Sequence, residues 1–392
     1  MMLCIVQLVA CKPVAESAKS KSILMDSAYL QSQYFDYYTI GVTSVFIEDN
    51  KAYITTTDGV EIYDIRNPSK PQKLGSLACP IANDIKVVGD YGFVVGGRMH
   101  EADGYFKILD ISSPKNIKLM GEEKLSHGSV GLEVTGNYAY VSGLDAGLFI
   151  VDVSKKSAPK LARTFEFPRR DNPKPIAKVG RAIAKLRKRE QPKKFPFQLG
   201  RTWYTDLKGD FLYVNDENTG LHILDISNPQ KPKPLGEFIH KYMEGTNNLA
   251  NDAFNDITVI NNIGYVTLDN GGLVIVDVKN KNRPTQLSHF NPWEKYDWGS
   301  SPGHMVKVEV LDNIAYVAAG KEGVYLIDVK NPRRPSLIEK IAVRDDVGVS
   351  WGVYIKNDLV FVTYIAADPG GKRKGKVLKG GWEIFKVVGR RP

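Results

Sequence analysis

The stretch Leu273-Val-Ile-Val-Asp277, followed by Val278-Lys-Asn-Lys-Asn-Arg-Pro284, decides the reading of this chain. Four consecutive apolar residues end in a carboxylate, and a polar, proline-bearing turn comes next. The same shape recurs as Val60-Glu-Ile-Tyr-Asp64, Phe106-Lys-Ile-Leu-Asp110, Leu148-Phe-Ile-Val-Asp152, Leu221-His-Ile-Leu-Asp225 and Val324-Tyr-Leu-Ile-Asp328. A seventh copy, Trp382-Glu-Ile-Phe-Lys386, has lost the aspartate. A short, nearly all-apolar run bounded by turn residues reads as a strand covered on both faces.

Upstream of the pentads lie pairs of alternating strands joined by two-residue polar turns. Examples are Ile85-Lys-Val-Val-Gly-Asp-Tyr-Gly-Phe-Val-Val95, Ile257-Thr-Val-Ile-Asn-Asn-Ile-Gly-Tyr-Val-Thr267 and Val308-Glu-Val-Leu-Asp-Asn-Ile-Ala-Tyr-Val-Ala318. Gly-Asp, Asn-Asn and Asp-Asn between period-two runs are hairpin signals. A fourth strand follows each Pro turn, as in Gln72 to Leu77, Pro234 to Phe238 and Ser336 to Ile341. Seven four-stranded units of about 45 residues each predict an all-β chain, a seven-bladed β-propeller with each small sheet a blade.

The pentads with their Asp-Val-Ser/Lys-Asn-Pro continuations resemble the LVIVD-repeat family. The resemblance covers nearly everything after Gly41 and implies a bacterial or archaeal envelope propeller of mostly undefined activity. The recurrent aspartates, Asp64, Asp110, Asp152, Asp225, Asp277 and Asp328, read as caps on the amides of the following turn. One per blade at the periphery, they cannot converge on a metal.

The amino terminus reads as a targeting segment. Leu8-Val9-Ala10-Cys11 resembles a bacterial lipobox, which implies removal of residues 1–10 and a diacylglycerol on Cys11. The expected organisation is a signal segment over 1–10, a tether over 11–34, and one propeller over 35–392. Residues about 35–41, including Asp36-Tyr-Tyr-Thr-Ile40, are expected to supply the missing outer strand of blade seven. Of the three cysteines, Cys4, Cys11 and Cys79, processing would leave only Cys79, which precludes a disulfide framework; Cys79 reads as a small apolar residue.

Between blades three and four, residues 168–200 break the repeat with eleven basic and two acidic residues, net +9. Within them Ile176, Val179, Ile183 and Leu186 fall on one side of a basic amphipathic helix over 176–190. That helix could contact anionic lipid or an acidic partner, or pack back on the propeller with its charges solvated. Residues 368–392 add a net +6, so the overall +9 leaves −6 for the rest of the chain. The basic balance therefore belongs to two appendages, and no nucleic-acid partner is expected.

In propellers, the loops entering the innermost strands and the loops between second and third strands share one face around the central channel. The entry loops bring Asn83, Asp84, His127, Trp203, Asn255, Asp256, His304 and Trp351 to that face, and the second set brings Arg98, His100, Asp145, Asp216, Glu217 and Asn270. Aromatic rings for stacking and acids for hydroxyls or cations suit a binding funnel. No phosphate loop or zincin helix is present, and Gly299-Ser-Ser-Pro-Gly303, which fits the serine-hydrolase elbow pattern beside His304, falls in a propeller loop instead of the strand-turn-helix that pattern requires. The expectation is a monomeric cell-envelope lipoprotein at the outer membrane or cell surface, acting as a binding or interaction module for a protein or glycan. No cofactor is expected, a metal at the channel mouth being the lesser alternative. The rival is a hydrolase or lyase on a glycan or lactone, using Asp84, His127, Asp256 and His304.

Overall fold

The computed structural model describes residues 21–30 (backbone only), 42–98, 101–167, 201–217, 219–240, 254–293, 304–343, 347–366 and 379–388. All regular structure there is β. Strand β1 is Lys21–Leu30. Blade one comprises β2 (Val42–Glu48), β3 (Lys51–Thr56), β4 (Gly59–Asp64) and β5 (Gln72–Ala78), and blade two β6 (Ala82–Val88), β7 (Tyr91–Gly96), β8 (Tyr105–Asp110) and β9 (Lys118–Lys124). Blade three is β10 (Gly131–Thr135), β11 (Tyr138–Ser142), β12 (Leu148–Asp152) and β13 (Lys160–Phe165); blade four is β14 (Thr202–Lys208), β15 (Phe211–Asp216), β16 (Gly220–Asp225) and β17 (Lys233–Phe238). Blade five is β18 (Phe254–Ile260), β19 (Ile263–Leu268), β20 (Gly272–Asp277) and β21 (Thr285–Phe290); blade six is β22 (Val308–Leu311), β23 (Ile314–Ala318), β24 (Val324–Asp328) and β25 (Ser336–Ile341). Blade seven has β26 (Val349–Lys356), β27 (Leu359–Ile365) and β28 (Gly380–Val388), with β1 outermost.

Each pentad is a third strand, buried on both sides. Apolar clusters fill the space between every pair of neighbouring blades, from Val60, Ile85 and Leu109 between blades one and two to Val45, Phe361 and Ile384 between seven and one. The innermost strands β2, β6, β10, β14, β18, β22 and β26 each pack against the next, and β26 packs against β2 to close the ring. The hairpin turns follow their sequence signals: Asp49-Asn50, Asn261-Asn262 and Asp312-Asn313 all have both φ values between 45° and 63°, the backbone of a type I′ turn.

Every pentad aspartate accepts a bond from the amide two residues on, for example Asp152 Oδ1 from Ser154 N at 2.9 Å and Asp328 Oδ1 from Lys330 N at 2.8 Å. The same bond occurs in the other four blades that carry the residue. The capped turn then lies against the preceding blade. A Cβ on Gly236 would stand 2.5 Å from the Lys281 carbonyl of the next blade's turn, so only glycine permits that approach.

The ring closes by an amino-terminal strand, but not by residues 35–41. Strand β1 runs antiparallel to β28 from Lys21↔Val388 to Leu30↔Gly380 and comes from within the stretch read as a tether. The reason is distance. The outermost strand of a blade lies three strand spacings, ~14 Å, from the innermost one, so a strand ending at residue 41 could not be followed at once by β2. A connection must cross the blade, and residues 31–41, which lie outside the described set, are the chain available for it. The basic insertion 168–200 lies outside it too, and no helix occurs among the described residues.

Removing residues 1–30 should expose β28 as an open edge and lower the melting temperature by roughly 10 °C or more, whereas removing 1–20 should leave it within about 2 °C. Calorimetry on the two truncations decides this, and equal melting temperatures would count against closure by β1.

Candidate functional site

Inner strands of a propeller have one end at the mouth of the channel and the other at the turn face. Near the mouth end, the pairing of first and second strands is interrupted in five blades, at Val42/Ser44, Ala82/Asp84, Thr202/Thr205, Phe254/Ile257 and Ser350/Gly352. Such β-bulges re-aim side chains. The residues within these irregular stretches include Asn83, Trp203, Asn255 and Trp351, four of the sequence candidates.

The two tryptophans meet. Trp203 of blade four and Trp351 of blade seven have ring centroids 6.2 Å apart, although their blades are far apart around the ring. With Val130, Leu144, Tyr204, Val306, Val349 and Ile365 they form a buried apolar plug drawn from blades three, four, six and seven. At its edge Trp203 Nε1 donates to Glu217 Oε2 at 3.0 Å, and Arg201 bridges Asp145 and Glu217, each at 3.0 Å. Burial opposes the Arg201 charge, but Glu217 and Asp145 outweigh it and hold the guanidinium firmly protonated. The Asp145 and Glu217 side chains stay about one-quarter exposed, which makes them the accessible polar rim of the plug.

Beyond the plug the channel is ionic. The Lys307 ammonium lies 4.2 Å from the Tyr204 ring centroid and 5.2 Å from that of Tyr354. Burial disfavours its charge, but Tyr354, Asp256 and Asp84 raise its pKa well above the usual lysine value. Two residues further along the strands, Lys86 pairs with Glu133 at 2.9 Å across blades two and three. Burial there pushes Glu309 up to about 7, partly offset by Lys307.

Asp84 and Asp256 also tie blades together. Asp84 Oδ2 accepts from Leu132 N at 3.1 Å, Asp206 Oδ2 from Val259 N at 2.6 Å, and Asp256 Oδ2 from Val308 N at 3.0 Å. In each case the amide lies one residue beyond the acid's own counterpart in the next blade. Ser44 Oγ donates to Asp84 Oδ1 at 2.5 Å, and Tyr354 Oη donates to Ser44 Oγ at 3.0 Å, extending the tie to blade seven. Asn83 and Asn255 do similar work: their amide groups donate to Ser129 O and Met305 O, at equivalent places in the following blades.

The remaining candidates do not join this centre. Arg98 is exposed and pairs within its own loop with Asp103 at 3.3 Å and Glu101 at 3.6 Å. His127 is half-buried beside Ser126, 3.2 Å away. His304 packs against Gly320, and burial with nearby Lys321 lowers its pKa to about 4. Asp216 accepts from Thr219 N at 2.8 Å, and Asn270 is buried with its carbonyl accepting from Asn291. His100, like Cys11, lies outside the described residues. Cys79 is buried between blades one and two, which pushes its thiol up. Among the described residues no group of three or more His, Cys, Asp or Glu is placed to hold a metal.

Period-two reading missed Arg201, Lys307, Tyr204, Tyr354, Lys86, Glu133 and Glu309. The signal was present as alternation within first strands, Asp84 and Lys86, Tyr204 and Asp206, Lys307 and Glu309, at matching offsets before the hairpin turns. Polar residues recurring there mark the side that faces the axis.

Comparison with known proteins gives a family and a fold. The LVIVD repeat matches residues 41–78, 81–123, 129–166, 200–238, 253–291 and 302–343. No curated protein sequence matches the chain. Similar solved structures include the periplasmic gluconolactonase of Pseudomonas aeruginosa, at 11% identity and TM-score 0.61, over 88% of this chain and 98% of that one. The WD40 repeats of RRP9 are similar at 11% identity and TM-score 0.62, over 94% and 100%, and a protein from Lactobacillus plantarum at 11% and 0.61, over 83% and 87%. At such identity the likeness is one of fold.

Two measurements test the centre. Asp256→Ala leaves the Val308 amide unbonded and removes a counter-charge from Lys307, and should cost about 2–4 kcal/mol in denaturant unfolding, while Asp256→Asn should cost less. His304 titrates near 6.5 when unfolded and near 4 when folded. The stability it contributes is thus complete above pH 6.5 and is lost as pH falls toward 4, so His304→Gln should flatten the acid side of the stability profile in that window.

Proposed function

Because the chain belongs to the LVIVD-repeat family, we propose that it is a cell-envelope lipoprotein whose propeller is an interaction module, anchored by a lipid on Cys11 and holding a protein or glycan partner on the mouth face. The observation that carries the reading is the plug. Trp203 and Trp351 close the axis from the mouth side, so a small substrate arriving there does not reach the carboxylates of the channel. The accessible chemistry is instead a rim, Asp145 and Glu217 around Arg201, rigidly held and matched to the hydroxyls, amides or cationic groups of a larger surface. Of the residues in the rival scheme, His127 is half-buried beside Ser126, His304 is half-buried with its pKa lowered, and Asp84 and Asp256 are engaged by backbone amides.

A photo-activated cross-linker placed at Glu101, exposed on the mouth face, should give a discrete adduct in the envelope, lost on Glu217→Ala. The same cross-linker at Lys115 on the opposite face should not give it. Turnover of a lactone or glycan by the purified protein would replace this reading with the enzymatic one. Mass spectrometry of the envelope form should find Cys11 amino-terminal and acylated, and Cys11→Ser should move the protein to the aqueous phase on detergent partition.

A further inference from the structure

The turn face of the propeller gathers basic side chains from six blades. In blades one to six the first-to-second and third-to-fourth strand connections lie at one end of the sheet, since Lys51 pairs with Asp64 and Asp64 with Gln72, and likewise around the ring. The six third-to-fourth turns, from each pentad aspartate to the first residue of the next strand, carry fifteen basic residues against those six aspartates, net +9. Each turn contributes at least one exposed cation: Lys70, Lys115, Lys155, Lys231, Arg283 and Arg334 in blades one to six. The aspartates are turned back onto the amides of their own turns. Hairpin turns nearer the axis, counted with the strand residue on either side, add a net −3, so the cations form a peripheral ring. The described loops of the mouth face, counting Lys307 with the channel, carry eight acidic and four basic residues, while the basic stretch 168–200 joins β13 to β14 at this end.

The chain also enters the fold on the basic face. Lys21 pairs with Val388, and Lys386 pairs with Leu359 just after the 357–358 hairpin, so β1 begins at the turn end of blade seven and finishes at the mouth end. Cys11 is ten residues before Lys21, a reach of at most about 35 Å even if fully extended.

We propose that the turn face is a membrane-docking surface, its ring of lysines and arginines lying against anionic phospholipid headgroups. The choice of a bilayer over an acidic protein rests on two features: the cations are spread over six blades at one end of the sheets instead of clustered, and β1, the first described strand, begins at the same end. The inference stands on charge and strand topology and does not require acylation. A lipid on Cys11 would act on the same face, and the partner-binding mouth would point away from the bilayer.

The test uses the full chain carrying Cys11→Ser, which cannot be acylated there, with vesicles of phosphatidylglycerol and phosphatidylcholine or of phosphatidylcholine alone. The protein should sediment with the anionic vesicles, should not sediment with the neutral ones, and should release as salt rises. Reversing Lys279, Arg283, Lys330, Arg333 and Arg334 to Glu should weaken binding at least about tenfold. These side chains are exposed and their turns are capped through backbone amides, so an unchanged melting temperature is the control for folding. Absence of vesicle binding, or binding that survives these reversals but disappears on reversing Lys185, Arg187, Lys188 and Arg189 in the insertion, would overturn the proposal. Neither result bears on acylation of Cys11 or on the mouth-face adduct, which are read separately.

Discussion

A sheet that is apolar on both faces cannot stop. Each pentad strand, such as Leu148-Phe-Ile-Val-Asp152, is buried from either side, and its blade holds its place only between two others. That requirement makes the seven blades one cooperative ring, and it explains why closure matters more than any single contact. An unclosed blade seven would leave the long edge of β28 with its backbone groups unpaired and the first inter-blade cluster open to slippage. Strand β1 removes the edge, and does so with a segment distant in sequence, which ties the two termini of the fold together.

Closing a ring of inner strands creates a second constraint along the axis. Seven backbones converge there with side chains that must be either matched or excluded from water. This chain uses both answers in layers: tryptophans and aliphatics near the mouth, then a lysine between two tyrosines, then paired ions. The aspartate ties from Asp84, Asp206 and Asp256 to amides of the next blade suit this place, because a carboxylate accepting a backbone N–H gains a charge-assisted bond and fixes the rotation between neighbouring blades. Such groups near the axis are structural by the same logic that makes them resemble a catalytic cluster in sequence.

That logic sets what could be read beforehand. The blades, their number, the hairpin turns and the aspartate caps were legible because each rests on local chemistry: two-faced burial, a two-residue turn at positive φ, a carboxylate two residues from an amide. The closing strand was not, since Lys21–Leu30 has no copy of the repeat and its partner residues lie 350 or more positions away. Nor were the roles of Asn83, Trp203, Asn255 and Trp351, although their positions at the mouth were. A bulge shifts which residues face the axis by one, and period-two reading assumes that no residue is extra. Arg201 was overlooked for a related reason: its partners Asp145 and Glu217 come from loops of two different blades, and only the folded ring brings them to 3.0 Å.

Charge tells a similar story at a larger scale. Summed along the chain, the segments outside 168–200 and 368–392 look mildly acidic, which suggests a propeller of no particular polarity. Strand direction sorts that sum into two surfaces. Every third strand ends at the same end of its sheet, so a lysine or arginine repeated once or more per turn accumulates on one face, while the acids are drawn into the channel, the caps and the opposite rim. A repeat protein thereby gathers a weak local bias onto one face, and the amino-terminal strand that the ring needs for closure enters there. The constraint that shuts the ring therefore also sets the face at which β1 begins.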